Sequence, residues 1–149
     1  FSYQHKLKLK NARINIISPK KDTSIEVKIQ NFLKELKIEF YTHQYMKIDN
    51  AYQCDIFIPV QKGISQKTII EADGDYWHGN PEKYKDYRKL TKQQKIQRIK
   101  DYLRTAELES RRYNVVRLWE SDIKKMDLNE FDQNVIHKMK IGRIQHHGL

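Results

Sequence analysis

The chain has 149 residues, of which 32% are charged, and its 29 Lys and Arg exceed its 19 Asp and Glu to give a formal net charge of +10. This length fits one domain with a sizeable core, and the composition is that of a globular protein rather than a disordered one. The excess of cations favours nucleic acid or another polyanion as partner, because each Lys or Arg placed on a phosphate releases a condensed counterion. A basic, solvated surface that binds nothing is the alternative.

The single cysteine, Cys54, excludes a disulfide within the chain and a zinc site built from several thiolates. No apolar run approaches the roughly 20 residues of a membrane span, and no signal peptide is visible. We therefore expect an intracellular protein without a membrane segment. Because the chain opens at Phe1 rather than Met, we expect it to be an excised fragment.

The N-terminal residues 1–21 contain six Lys or Arg and no acid. They are predicted to be either a basic arm that contacts phosphates or a linker to another domain. A helix is predicted from Thr23, with apolar residues at helical spacing from Ile25 to Leu36. Thr23 and Glu26 match a capping box, in which Glu26 would reach back to the Thr23 amide.

Three strands are predicted next, over 38–48, 52–60 and 68–73, and the last two are expected to form an antiparallel hairpin through the turn at 61–67. The segment Asn80-Pro81-Glu82 predicts a helix start, and 82–112 should be mostly helical in two pieces that break near Thr91. A fourth strand over 113–119 and a final amphipathic helix complete the domain, which we place at 22–140 with a tail at 141–149. The order α-β-β-β-α-β-α predicts an α/β fold, a mixed central sheet of about four strands flanked by helices.

Carboxylates concentrate around the predicted hairpin. Asp55 lies in the middle of an apolar strand, and antiparallel pairing would bring it beside Glu71. Two adjacent carboxylates both stay ionised only with a cation between them, and oxygen ligands favour Mg²⁺ or Mn²⁺. His78 follows at the end of the same strand, where an imidazole could act as general acid or base.

Each of these residues also has a structural explanation. Asp55 could pair with a core cation, and Glu71 could lie on a solvated strand face. Asp73 and Asp75 flank Gly74 and could be turn formers, which is our interpretation of Asp75. A single histidine is usually structural, so the joint pattern carries the prediction of a catalytic site.

The blocks CDIFIP, IIEADGDYWH and DYLRTAELESRRYNVVRLWE, in that order, resemble the very short patch repair endonucleases and their relatives in the PD-(D/E)XK nuclease superfamily. The resemblance spans roughly residues 22–140. It implies a restriction-endonuclease-like fold and metal-dependent cleavage of double-stranded DNA. Glu26, Asp55, His78 and Asp101 look like the E-D-H-D constellation of a phage homing-endonuclease catalytic domain.

In that resemblance Asp55 would be the central metal ligand, His78 an active-site imidazole, and Asp101 the acid that orients or charges it. The strand pairing adds Glu71 as a second metal ligand. Tyr76 and Trp77 match an aromatic pair that wedges base steps near the cut; packing in the core is the alternative for Trp77. The candidate catalytic residues are Glu26, Asp55, Glu71, Asp73, His78 and Asp101. The candidate DNA contacts are Tyr76, Trp77, Lys92, Lys95, Arg98, Lys6, Lys8 and Lys10.

The chain departs from that family in two ways. One cysteine cannot supply the zinc site of the repair enzymes, and Asp73 stands where the superfamily carries a lysine, so His78 would have to activate the water. Asp101 also projects opposite an apolar stripe that includes Ile99 and Leu103, and shares its face with Leu108. We expect this face to pack on the sheet while the stripe covers something else; the alternative is that Asp101 is a surface acid. The leading prediction is a homing-endonuclease catalytic domain separated from its recognition module. The alternatives are an inactive nucleic-acid-binding module of the same fold, a mismatch or nicking repair endonuclease, and a basic interaction domain.

Overall fold

The computed structural model describes residues 22–49 and 51–140. The predicted basic arm at 1–21, with Lys6, Lys8 and Lys10, and the predicted tail at 141–149 lie outside the described residues. In chain order the elements are α1 (Ser24–Glu35), β1 (Tyr41–Thr42), β2 (Tyr45–Met46), β3 (Tyr52–Gln53), β4 (Ile56–Ile58), β5 (Thr68–Asp73), a 3₁₀ turn (Tyr87–Lys89), α2 (Lys92–Ser110), β6 (Asn114–Trp119), α3 (Glu120–Lys125), α4 (Leu128–Phe131), a π-helical turn (Asp132–Ile136) and α5 (His137–Lys140). None of the helices in these ranges is both long and apolar enough to cross a membrane.

The central sheet has four strands in the order β1-β4-β5-β6. Strand β4 pairs antiparallel with β1 and β5, and β6 pairs parallel with β5 after the crossover through α2. The mixed sheet flanked by helices that the sequence predicted is therefore confirmed. Strand β5 has the predicted bounds, and β6 starts one residue later than expected.

The prediction of uninterrupted strands over 38–48 and 52–60 is wrong, because both segments bend at the same place. The pairings Tyr41↔Phe57 and Tyr45↔Gln53 share one register. Between them His43 has a left-handed backbone with φ of 52°. Its amide donates to the Asp55 carbonyl at 3.1 Å. A straight strand would place Cys54 and Ile56 on the same face of the sheet. Because of the bend they lie on opposite faces, and Cys54 packs in the cluster that contains Phe57.

The predicted helix start at Asn80-Pro81-Glu82 is also wrong. This segment forms a turn, in which the Asn80 side chain accepts from the Glu82 amide at 3.0 Å and donates to Asp75 at 2.9 Å. Only the second predicted piece is a long helix, α2. It begins with a capping box, in which Thr91 Oγ1 accepts from the Gln94 amide and Gln94 Oε1 accepts from the Thr91 amide.

Apolar side chains cover both faces of the sheet. One cluster joins the sheet to α1 and the C-terminal helices and includes Ile29, Ile56, Ile70 and Phe131. The other includes Phe57, Ile69, Val115 and, from α2, the fully buried Leu108. The apolar stripe of α2 faces solvent instead, with Leu103 60% exposed. The expected orientation of α2 is confirmed, and it turns Asp101 toward the sheet.

Candidate active site

Two of the predicted site carboxylates come together at the β4–β5 hairpin. Ile56 pairs with Ile70, so the same register brings Asp55 opposite Glu71. Both residues are buried, at 6% and 8% exposure. Asp55 Oδ2 also accepts from the Ala72 amide at 2.8 Å, which fixes its carboxylate against β5. The adjacency that the sequence predicted is therefore present.

The Glu71 carboxylate is in an environment that opposes its negative charge. Burial and the nearby Asp55 raise its pKa well above the usual value, and Arg117 only partly offsets them. Within the described ranges, Glu71 Oε1 has no hydrogen-bond partner. A buried carboxylate oxygen without a partner beside a second carboxylate is stable only when a proton or a cation joins the pair.

A third carboxylate on the same face, Asp73, forms an ion pair that sequence reasoning missed. Arg117 on β6 donates to both of its oxygens, at 3.1 and 3.2 Å. The same guanidinium donates to Thr105 Oγ1 at 2.8 Å and lies 3.7 Å from Asp101. Burial nevertheless keeps the pKa of Asp73 raised, against the effects of Arg117 and His78. An arginine within the apolar run of β6 was the signal that would have identified this pair.

His78 and Asp101 form a direct pair. The ring Nδ1 lies 2.5 Å from Asp101 Oδ2 and 3.7 Å from Asp73. Burial disfavours the imidazolium, but the hydrogen bond to Asp101 and the charge of Asp73 together raise the pKa of His78. Burial likewise opposes the charge on Asp101, yet the His78 and Arg117 contacts lower its pKa. Gln97 donates to the second Asp101 oxygen at 2.9 Å and fixes the carboxylate.

The loop that carries His78 is attached to α2 by two side chains. Gln94 donates to the Tyr76 carbonyl at 2.7 Å, and Arg98 Nε donates to the Gly79 carbonyl at 3.0 Å. Gly79 has φ of 62°, and a Cβ there would lie 3.1 Å from Arg98 Nε. Arg98, which we predicted to contact DNA, thus holds the loop through its guanidinium.

Asp75 does more than form a turn. It is 4% exposed and accepts from Asn80 at 2.9 Å and from Lys83 at 3.0 Å. Burial opposes its charge, but these partners and the Ser121 amide lower its pKa. Asp75 therefore anchors the loop internally, and its role is structural.

The predicted aromatic pair protrudes from this loop. Tyr76 is 51% exposed and Trp77 is 65% exposed, with their rings edge to face at 5.6 Å. Packing in the core, the alternative for Trp77, is thus wrong. Among the predicted phosphate contacts on α2, Lys92 is exposed and the Lys95 ammonium lies 5.0 Å above the Tyr87 ring.

Glu26 lies in a separate group at the start of α1. Thr23 Oγ1 accepts from the Glu26 amide at 3.3 Å, which is one half of the predicted capping box. The Glu26 carboxylate turns instead toward His43, whose Nε2 lies 3.4 Å from Glu26 and 2.5 Å from Asp22. This group adjoins the hairpin, because the His43 amide is bonded to the Asp55 carbonyl. Sequence reasoning missed His43, which lies within an aromatic, β-prone run.

Two groups of side chains in the described residues have the composition and spacing of metal sites. One is Asp22, Glu26 and His43, and the other is Asp73, His78 and Asp101. The Asp55–Glu71 pair offers carboxylate oxygens alone, a donor set that suits Mg²⁺ or Mn²⁺. Its partnerless Glu71 oxygen is consistent with a cation at the pair.

Comparisons of the chain with protein-family models, with curated proteins and with solved structures gave no match. The functional interpretation therefore depends on the residues of the site and their arrangement.

Proposed function

We propose that this chain is the catalytic domain of a metal-dependent DNA endonuclease of the restriction-endonuclease-like class. It would hydrolyse phosphodiester bonds, as the catalytic part of a homing endonuclease. The observation that carries the proposal is the buried Asp55–Glu71 pair, with an oxygen of Glu71 left without a hydrogen bond inside the described part of the chain.

The carboxylate pair is the natural place for the cation. Asp55 and Glu71 would hold Mg²⁺ or Mn²⁺, and the raised pKa of Glu71 describes the pair without it. A bound divalent ion polarises a phosphoryl oxygen and makes water a stronger nucleophile. The pair neighbours the Asp73–Arg117 contact, since Glu71 and Arg117 are register partners on β5 and β6. The cation site and the imidazole would thus belong to one continuous site on the α2 side of the sheet.

His78 supplies the group that moves a proton. Because Nδ1 is bonded to Asp101, Nε2 is the nitrogen left to take a proton from water or give one to a leaving oxygen. Asp101 fixes the tautomer and stabilises the imidazolium that forms. The side chain of His78 is 22% exposed, so the ring can be reached from outside.

The surroundings of the site favour DNA as substrate. Tyr76 and Trp77 extend into solvent beside His78, where they can wedge between bases. The net charge of +10 supplies the attraction for phosphates. A module that only bound DNA would gain nothing from buried acids next to a polyanion, which favours catalysis over the inactive alternative.

The deciding experiment is cleavage of supercoiled plasmid with Mg²⁺ or Mn²⁺ and with chelator. We expect cutting only with metal, and we expect Asp55→Asn to abolish it while far-UV circular dichroism and DNA binding are retained. Asp49→Asn is the matched control, because Asp49 is exposed and its carboxylate lies 3.5 Å from Arg111, away from the pair. A folded Asp55→Asn protein that cuts at the wild-type rate would exclude the proposed metal site. A wild-type protein that binds DNA and never cuts would identify the inactive module.

A further inference from the structure

Arg104 on α2 differs from the other arginines near the site. Arg98 is bonded to the Gly79 carbonyl, Arg111 lies within 3.5 Å of Asp49 and Glu107, and Arg117 is paired with Asp73. Arg104 has no ion-pair partner among residues 22–49 and 51–140. Its guanidinium lies instead over the Tyr52 ring, 4.2 Å from the centroid.

This stacking orients the guanidinium without using its hydrogen bonds. An arginine stacked on an aromatic face keeps the N–H groups at its edge, which match a planar or tetrahedral oxyanion. The Tyr52 ring is itself fixed, since it packs against the buried cluster that contains Phe57 and Leu108. Less rotamer entropy is therefore lost when Arg104 binds an anion than for a freely rotating side chain.

Tyr52 also joins this arginine to the candidate metal pair. Its hydroxyl is buried and has no hydrogen-bond partner in the described part of the chain. Burial and the Glu71 carboxylate raise the pKa of Tyr52, so the phenol stays protonated beside Glu71. One face of the ring thus supports Arg104, while the buried hydroxyl is within the electrostatic influence of Glu71.

The position of Arg104 along α2 suits a strand of nucleic acid. It is three residues beyond Asp101, about 4.5 Å along the helix axis. Residues three apart are neighbours on the surface of a helix. Arg104 therefore lies about one turn of α2 from the acid that holds His78, so a strand with one phosphate at His78 would run beside Arg104.

We propose that Arg104, held on the Tyr52 ring, is a phosphate-binding residue that receives a backbone phosphate of the bound DNA strand next to the one that is cut. This inference rests on the proposed function for the identity of the strand. Arg104 contacts the substrate, and Tyr52 is a positioning residue that acts through it.

The test is the salt dependence of binding to a fluorescent 20-base-pair duplex, measured in chelator so that nothing is cut. Arg104→Ala should raise Kd about tenfold and lower the slope of log K against log salt by about 0.9, the loss of one phosphate contact. Arg104→Lys should keep the slope and bind less tightly, because it keeps the charge and loses the flat stack. Arg111→Ala, which removes a cation already paired with acids, should leave the slope unchanged.

The contribution of Tyr52 is measured in the same assay. Tyr52→Phe keeps the ring and should keep the slope, whereas Tyr52→Leu should weaken binding toward the Arg104→Ala value. Thermal unfolding shows which variants are folded. If Tyr52→Leu is unfolded, the binding data for Tyr52→Phe, Arg104→Ala and Arg104→Lys still test the phosphate site. An Arg104→Ala protein with the wild-type Kd and slope overturns the inference, and so does a wild-type chain that does not bind the duplex.

Cleavage by the wild type in Mg²⁺ is scored separately. If the wild type never cuts but Arg104→Ala has a reduced slope, the phosphate site stands and the nuclease proposal fails. If the wild type cuts and Arg104→Ala binds DNA with the wild-type Kd and slope, the nuclease proposal stands and the phosphate site fails.

Discussion

Replacing Glu71 by Gln tests the carboxylate pair through stability alone, without any nuclease assay. Side chains directly opposite on antiparallel strands are about 5 Å apart. Two charges at that distance repel by roughly 3 kcal/mol at an effective dielectric constant of about 20. Above about pH 4.5 the metal-free wild type must either bear this repulsion or keep Glu71 protonated, and Glu71→Gln removes that cost, so its free energy of unfolding should rise by about 1–3 kcal/mol. At about 2–4 °C per kcal/mol for a chain of this size, Tm should rise by several degrees.

The pH dependence of this gain has a definite sign. The pKa of Glu71 in the folded protein lies above its unfolded value of 4.5, so above about pH 4.5 ionisation favours the unfolded state. The metal-free wild type should therefore lose stability relative to Glu71→Gln as the pH rises from 4.5 toward the folded pKa. Below pH 4.5 Glu71 is protonated in both the folded and the unfolded wild type, so the difference in stability between the wild type and Glu71→Gln should disappear.

Adding Mg²⁺ should reverse the order of the two proteins. At a free metal concentration of about 100 times Kd, the wild type gains roughly 2.7 kcal/mol, or about 5–10 °C in Tm. Glu71→Gln should lose most of this gain, because it lacks one of the two carboxylates. Scanning calorimetry with Mg²⁺ and with chelator measures both effects, and Glu82→Gln, at an exposed position, is the matched control. The reasoning is refuted if Glu71→Gln and the wild type show the same shift with Mg²⁺.

Three further predictions concern the rest of the site. Asp101→Asn should lower the pKa of His78, so the acidic limb of the single-turnover rate should move to lower pH with a lower plateau; an unmoved limb would mean that Asp101 does not charge the imidazole. In the wild type, the stabilisation of the fold by the contact between Asp101 and protonated His78 should be complete below about pH 6.5. It should be lost as the pH rises through the raised pKa of His78 in the folded protein. Arg117→Gln should cost about 3–5 kcal/mol in thermal unfolding because it leaves Asp73 buried and unpaired, and adding Asp73→Asn should restore most of it; a wild-type Tm for the single variant would contradict this. Trp77→Ala should change the free energy of unfolding by less than about 0.5 kcal/mol, since Trp77 is 65% exposed, while plasmid cutting falls; unaffected cutting would remove Trp77 from the DNA interface.

The sheet was predictable wherever the signal was local. Strand β5 is a β-branched run between a polar turn and Gly74, and helix α1 carries its own cap at Thr23. The bend at His43 was not predictable, since nothing in its aromatic, β-prone neighbourhood indicates a left-handed backbone. It is held by the hydrogen bond from the His43 amide to the Asp55 carbonyl, a long-range contact that sequence patterns do not show.

The same division applies to the candidate site. The closeness of Asp55 and Glu71 followed from pairing the two strands that flank the turn at 61–67 as an antiparallel hairpin. The orientation of Asp101 toward the sheet was predicted from the helical periodicity of α2, in which Asp101 and Leu108 share a face. The Asp73–Arg117 pair joins residues 44 positions apart across a parallel register, and no local pattern sets that register. The arginine within the apolar strand β6 was the sequence feature that could have indicated the pair.

The attachment of the Gly79 loop to α2 has a consequence for protein engineering. His78 lies in a loop and Asp101 lies on α2. Gln94 and Arg98, also on α2, hydrogen-bond to the carbonyls on either side of His78 and so attach the loop to the helix that carries Asp101. The left-handed backbone of Gly79 and its closeness to Arg98 make this contact specific to glycine. A chimera that exchanged the loop or the helix by itself would separate the two halves of the pair. A graft that keeps the pair together would therefore need at least the continuous segment 74–101.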